Sequence, residues 1–308
     1  YNLVLKHKPF LLPWVRKVVE EARKRHKTLV AFSHYPLVDF NDGVSESVRR
    51  MWGNRRFDLH RVPEAEVSEA FLQAGLRLHF AGHMHVNDTG IWEGKDGKHL
   101  YNIQVPSIAT YVPAYKILTI ESDEAFRVET VTLDTVPGFD SLFPLYRAEY
   151  QSDSLRGHLP VWNKEILSAR TYGEFCDYQF RDLVRLRFIP RDLPESWRAC
   201  LDFTGARMLK AVSGEDKSED ADWTGWCMKD LVLDVYRLRY AECLALKDIP
   251  ETRLVAYRYL FERARISSLR SAEVEIVNGL GALFLAFLNG EPCQNFVIDL
   301  EKDTITGD

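Results

Sequence analysis

The sequence lacks the marks of several common protein classes. Its most apolar stretch, IVNGLGALFLAFL at 276–288, is too short to cross a bilayer and reads as a buried helix. It has almost no charge surplus. With 40 basic and 45 acidic residues, a net of −5, no global field draws it to nucleic acid or anionic lipid. Cysteine is scarce: Cys176, Cys200, Cys227, Cys243 and Cys293 all fall in the second half, and none forms a C-x-x-C pair. An odd count without that spacing is not a disulfide framework and reads as buried thiols. It points only weakly to a reducing compartment and leaves the periplasm open. No repeat, low-complexity tract or signal peptide is visible. The chain also opens at Tyr1, in mid-pattern, without an initiator methionine. Residues upstream are therefore expected, with any targeting signal among them.

What is present suits two cores. At 308 residues and 46% apolar composition, two domains are expected, 1–140 and 141–308. The first alternates helix and strand. Pro13 sits near a helix start, and Leu11, Val15, Val18 and Ala22 then share one helical face. TLVAF at 28–32 reads as a short buried strand. A second unit follows: a helix with Val67, Ala70, Phe71 and Ala74 on one face, Gly75 as its stop, and LRLHFA as a strand. KHLYNIQV, YKILTIES and AFRVETVTL alternate as an antiparallel set. Beyond 145 helical patterns dominate, interrupted by the solvated acidic loop 213–222, and QNFVIDLEKDTITGD closes the chain as a strand or hairpin.

Chemistry concentrates at two strand ends. FSHYPL places His34 straight after the first strand, and FAGHMH places His83 and His85 straight after the second. Ligands of sheet enzymes gather beyond strand ends. Gly82 permits a tight turn there, and side chains two apart in extended chain point to one side. Neutral imidazoles suit Zn, Fe and Mn, and added carboxylates would permit a paired-metal hydrolytic centre. Of the remaining histidines, His7, His26, His79, His99 and His158 read as ordinary core or surface residues.

This pair of motifs, a His after a strand in Ser-His-x-Pro and then Gly-His-x-His, resembles the last two motifs of the calcineurin-like metallophosphoesterases. The resemblance spans residues 10 to 135 or so. It implies an α/β (α+β) fold. The first part would be the C-terminal half of a metallophosphoesterase β-sandwich flanked by helices, followed by a mostly α-helical domain with a terminal strand. It implies two divalent metal ions, Mn, Fe or Zn, between two sheets, with a bridging hydroxide attacking phosphorus. His34 and His83 would ligate the second metal and His85 the first. The family's earlier motifs, Asp-x-His, Gly-Asp and Gly-Asn-His, all precede the Ser-His-x-Pro helix there, and the ten or so residues before that helix hold none of them here. The expectation is therefore half of a binuclear site, partial or empty, with no catalytic residue of its own. Three readings follow: a C-terminal fragment of a phosphoric-ester hydrolase, inactive alone; a chain whose other half is separate or cleaved; or a non-catalytic binding or scaffold module that keeps a degenerate phosphoesterase fold.

Other features are open to two readings. The segment 39–62 carries Arg49, Arg50, Arg55, Arg56 and Arg61, with His60, and is either a phosphate-binding lid or a solvated, partly helical excursion. Asn87 and Asp88 either orient a ligand histidine or form an Asx turn. Tyr35, Trp52 and Tyr111 either line a pocket or pack in a core. The expected partner is a small phosphoester substrate; a long nucleic acid is not expected. An exposed sheet edge would permit self-association unless NFVIDL covers it.

Overall fold

The first helix–strand unit forms largely as its pattern dictates. The computed structural model describes residues 3–157 and 161–307, so His158 lies outside the described residues. Helix α1 (Leu11–Lys24) buries Val15 and Val19. Strand β1 (Ala31–Ser33) is shorter than expected and is not buried: Phe32 is 72% exposed. The reason is its position. Sheet A has the order β1-β2-β4-β3, with β2 (Leu78–Ala81), β3 (Asp88–Glu93) and β4 (His99–Gln104), so among the described residues β1 has a neighbour on one side only. β1, β2 and β4 run parallel, and β3 runs antiparallel to β4.

Helix α2 (Ser45–Trp52) lies between the two motifs, and α3 (Ala65–Gln73) leads into β2. Gly75, at φ 95°, stops α3 as its sequence position requires. Val15, Val19, Val67, Phe71 and Leu72 of the two flanking helices cluster with Leu100 of sheet A. β3 is not legible in the sequence, since DTGIWE carries turn residues at its head. Gly90 is required there: a Cβ at this position would stand 2.5 Å from the Asp39 carbonyl oxygen.

Sheet B is antiparallel, in the order β5 (Ala114–Ile120), β6 (Ala125–Thr132), β7 (Asn295–Asp299), β8 (Thr304–Gly307). The expected antiparallel set is thus divided: KHLYNIQV joins the mixed sheet A, and the other two strands pair in sheet B. The terminal run does not cover β1. It pairs with β6, Phe296 opposite Val128 and Ile298 opposite Phe126. The matched period of two puts these four side chains on one face. There they form one buried cluster with Leu78, Phe80, Tyr101 and Ile103 of sheet A.

The second half contains helices α4 (Phe143–Leu155), α5 (Tyr172–Leu183), α6 (Gly205–Ser213), α7 (Met228–Ala241), α8 (Glu251–Ile266) and α9 (Ala272–Leu288). The acidic loop after Ser213 is solvated as expected, and the apolar run at 276–288 lies within α9, which buries Ile276, Leu280 and Phe284. Among the described residues no helix is long and apolar enough to cross a membrane. The core of these helices also takes in Phe40, Val44, Val48, Trp52, Phe57, Leu59 and Val62. The segment 39–62 is therefore packed, which corrects its reading as a lid or a solvated excursion. Its apolar residues recur at helical spacing and are buried against the helices rather than lying over a cleft.

A polar clamp joins the sheets at one end. Asp303, in the β7–β8 turn, accepts hydrogen bonds from the His99 backbone N–H at 3.1 Å and from the Tyr101 hydroxyl at 3.2 Å, and it pairs with Arg77. Asp303→Ala would leave these donors, part-buried, without their acceptor. The expected loss is about 1–3 kcal/mol in denaturant unfolding. Lys302→Ala, which removes an exposed ion pair to Asp299, should leave the unfolding midpoint nearly unchanged. Equal effects of the two would remove the clamp from the account.

Candidate metal centre

The two histidine motifs meet because their strands are neighbours. Ser33 pairs with Ala81 in parallel register, so the chains leave the sheet side by side at His34 and Gly82. The Gly82 N–H donates to the His34 carbonyl at 3.2 Å, and the Met84 N–H to the Gly82 carbonyl at 2.7 Å. The backbone is not extended here, as the simple alternation argument assumed: His83 and His85 have φ of 65° and 57°. The left-handed region is uncommon outside glycine, with His among the more tolerant residues. What holds them is packing. Met84 and Val86, between and after them, are buried in the core shared with the helices. Each imidazole is thereby left on the solvent side.

His83 Nδ1 and His34 Nε2 are 3.0 Å apart, and the Tyr35 ring lies 4.5 Å from the His83 ring and 5.0 Å from the His34 ring. Burial, then Arg61, His34 and His85, push the His83 pKa down, against the pull of Asp58. Burial and His34 likewise lower His85. Both shifts favour the neutral ring that a metal requires. The 3.0 Å contact is a hydrogen bond between the two rings, and it comes near the spacing of about 3.4 Å at which two imidazole nitrogens bound at about 2.1 Å would share one tetrahedral ion. His34 and His83 thus suit one ion, and His85 is close enough to His34 to feel its charge. The three do not form one compact ligand set. Among the described residues, the one group of three metal-type side chains with ligand atoms within 4.8 Å of each other is Asp42, Asp88 and Glu242.

His79, one strand position before the motif, is a core residue as expected. It is 1% exposed, with Nε2 2.9 Å from Ser33 Oγ and Nδ1 2.8 Å from Asn102 Oδ1. Burial drives its pKa down to about 4, with Asn102 opposing. It tethers the residue that precedes His34.

The arginines divide. Arg49 pairs with Glu46, Arg56 donates to the Asp192 carbonyl, and Arg50, Arg55 and His60 are exposed. Of the group, Arg61 is the one whose charge acts on His83. Beside it lies Asp58, which the sequence reading passed over. Burial would raise its carboxyl, but Arg239, Arg191 and Arg61 together hold it below the ordinary carboxylate range. Arg191 lies 3.2 Å away, Arg239 3.8 Å and Arg61 3.9 Å. Trp52 packs on Trp197, and Tyr111 on Phe180, so of the three aromatics Tyr35 alone joins the site.

Asn87 and Asp88 do not orient the histidines. They enter β3, where successive side chains face opposite ways. Asn87 Oδ1 accepts from Lys116 Nζ at 2.8 Å, while Asp88 is buried beside Glu242. Burial is the largest cause raising Asp88, Glu242 and Asp42; for Asp42, Asp88 and Glu291 add to it, and its pKa reaches about 9. Burial and neighbouring acids thus favour the protonated form of residues that could hold a hard cation.

Two outcomes are expected. Arg239→Leu leaves Asp58 buried with weakened compensation and should cost about 3–5 kcal/mol of unfolding free energy. A loss under about 1 kcal/mol would dismiss this network. For Asp42, the folded chain retains a proton that the unfolded chain releases above its ordinary pKa of 3.8. Stability should therefore fall as pH rises from near 4 to about 9, and Asp42→Asn should flatten the curve of melting temperature against pH. An unchanged slope in that variant would contradict the assignment.

No protein-family model matches this chain, and no curated protein matches it.

Proposed function

We propose that the chain carries the histidine half of a two-metal centre in a phosphoric-ester hydrolase of metallophosphoesterase type. The observation that carries this reading is the 3.0 Å approach of His34 Nε2 to His83 Nδ1 at the ends of adjacent parallel strands. The apolar cluster shared by sheets A and B supports a β-sandwich with the site at one end of sheet A. His34 and His83 would hold one ion and His85 a second. Tyr35 packs against the rings of the first pair, and the charge of Arg61, which pairs with Asp58, reaches His83. Metals bound there would polarise the phosphoryl oxygens and lower the pKa of a water.

The carboxylates of such a centre need another source. Asp58, near His83, is committed to three arginines. The open side of β1, where Phe32 is exposed, accepts a further strand that would bring those carboxylates beside His34. In this proposal that strand belongs to the parent enzyme outside these 308 residues.

Zn²⁺ titration by calorimetry tests the site. Groups that merely support a ligand are worth roughly 10- to 100-fold in metal affinity. Removing a ligand in His34→Ala or His83→Ala should therefore weaken binding by at least about tenfold. The chain alone should show no Mn²⁺-dependent hydrolysis of p-nitrophenyl phosphate. Equal Zn²⁺ binding by wild type and both variants would sink the site. Robust hydrolysis by the chain alone would refute its half-site character.

A further inference from the structure

Cys243 and Cys293 are 50 residues apart in sequence, yet their Sγ atoms stand 3.3 Å apart. The approach is made by Glu242, which follows α7 with φ 45° and ψ −124°. After that turn Leu244 and Ala245 are buried, whereas Cys243 is exposed and Cys293 is buried. Cys293 is anchored: its carbonyl accepts from Lys116 Nζ at 2.7 Å and from Thr130 Oγ1 at 3.3 Å. The pair borders a cleft of about 400 Å³ that Glu242, Gly290, Glu291 and Gln294 also line. One thiol is thus reachable from solvent and the other is fixed behind it. The remaining cysteines differ: Cys176 and Cys200 are buried, and Cys227 Sγ faces Asp230 Oδ2 at 3.1 Å.

We propose that Cys243 and Cys293 form an oxidation site, a dithiol that closes to a disulfide on reaction with a low-molecular-weight disulfide. In the first step the Cys243 sulfur attacks one sulfur of the small disulfide. That S–S bond breaks, a mixed disulfide forms on Cys243, and one small thiol leaves with the Cys243 proton. In the second step the Cys293 sulfur attacks the Cys243 sulfur. The mixed bond breaks and the second small thiol leaves with the Cys293 proton. The protein loses two electrons and two protons, and the small disulfide is reduced to two thiols. Closure needs the sulfurs to approach by about 1.3 Å, to a bond of about 2.05 Å. Cys243, the exposed partner, is the side chain that would rotate to do so. The new bond ties the segment after α7 to the entry of β7 in sheet B.

The test is incubation of the folded chain with oxidised glutathione, alkylation under denaturing conditions, and peptide mass spectrometry. The wild type should lose two alkylatable thiols and yield one crosslinked peptide joining Cys243 to Cys293. Cys293→Ser should stop at glutathione attached to Cys243. Cys243→Ser should leave Cys293 alkylatable. Because the wild-type map alone decides, a variant that fails to fold does not rescue the proposal. A wild type that stops at glutathionylated Cys243, crosslinks another pair, or keeps all five thiols would overturn it.

Discussion

The charge that His83 meets depends on one buried cation. Arg239, on α7, is 2% exposed and reaches into the segment 39–62. It donates to the Phe57 carbonyl at 2.9 Å and to Asn41 Oδ1 at 3.1 Å, its guanidinium lies 4.1 Å from the Phe57 ring centroid, and it faces Asp58. Phe57 and Asp58 are both held at positive φ, a backbone state that such contacts must over-determine. This fastening sets where Arg61 stands and hence the charge that His83 meets. It also makes the helices part of the site's support: Met84 and Val86, which alternate with the histidines, are buried in the same core.

The neighbouring polar chemistry follows the same logic of burial. Asp58 is surrounded by arginines and stays charged. Asp42, Asp88 and Glu242 are surrounded chiefly by each other and by other acids, and they keep protons. Lys116 lies between sheet B and this acidic region. Burial lowers it to about 8, while Cys293, Glu242 and Asp88 oppose the shift. Two buried carboxyl environments within one molecule thus titrate in opposite directions, because the neighbours differ while the burial is shared.

Local pattern reached far in this chain. The apolar spacing of α1 and α3, the stop at Gly75, and the strand ends before His34 and His83 follow from residue type and period. Each depends on contacts within a turn or on a face repeated every few residues, which a linear pattern encodes. The motif pair likewise named His34, His83 and His85, because the residue after a strand end leaves the sheet at a known place.

Tertiary structure decided the rest. β3 has no strand signature, and only its pairing with β4 makes it one. β1 reads as a buried strand, yet its place at the edge of sheet A exposes Phe32. The arginines at 49–61 read as a phosphate-binding group, but Glu46, the Asp192 carbonyl and Asp58 take three of them, and one of those partners lies more than a hundred residues away. Asp88 seemed a partner for the histidines, and strand geometry turned it toward Glu242. Cys243 and Cys293 give no motif at all. Their approach comes from the turn at Glu242 and the return of β7 to sheet B. Composition and period fix what a residue can do within its own element, but the neighbours that set its charge, exposure and reactivity arrive from distant parts of the chain only on folding.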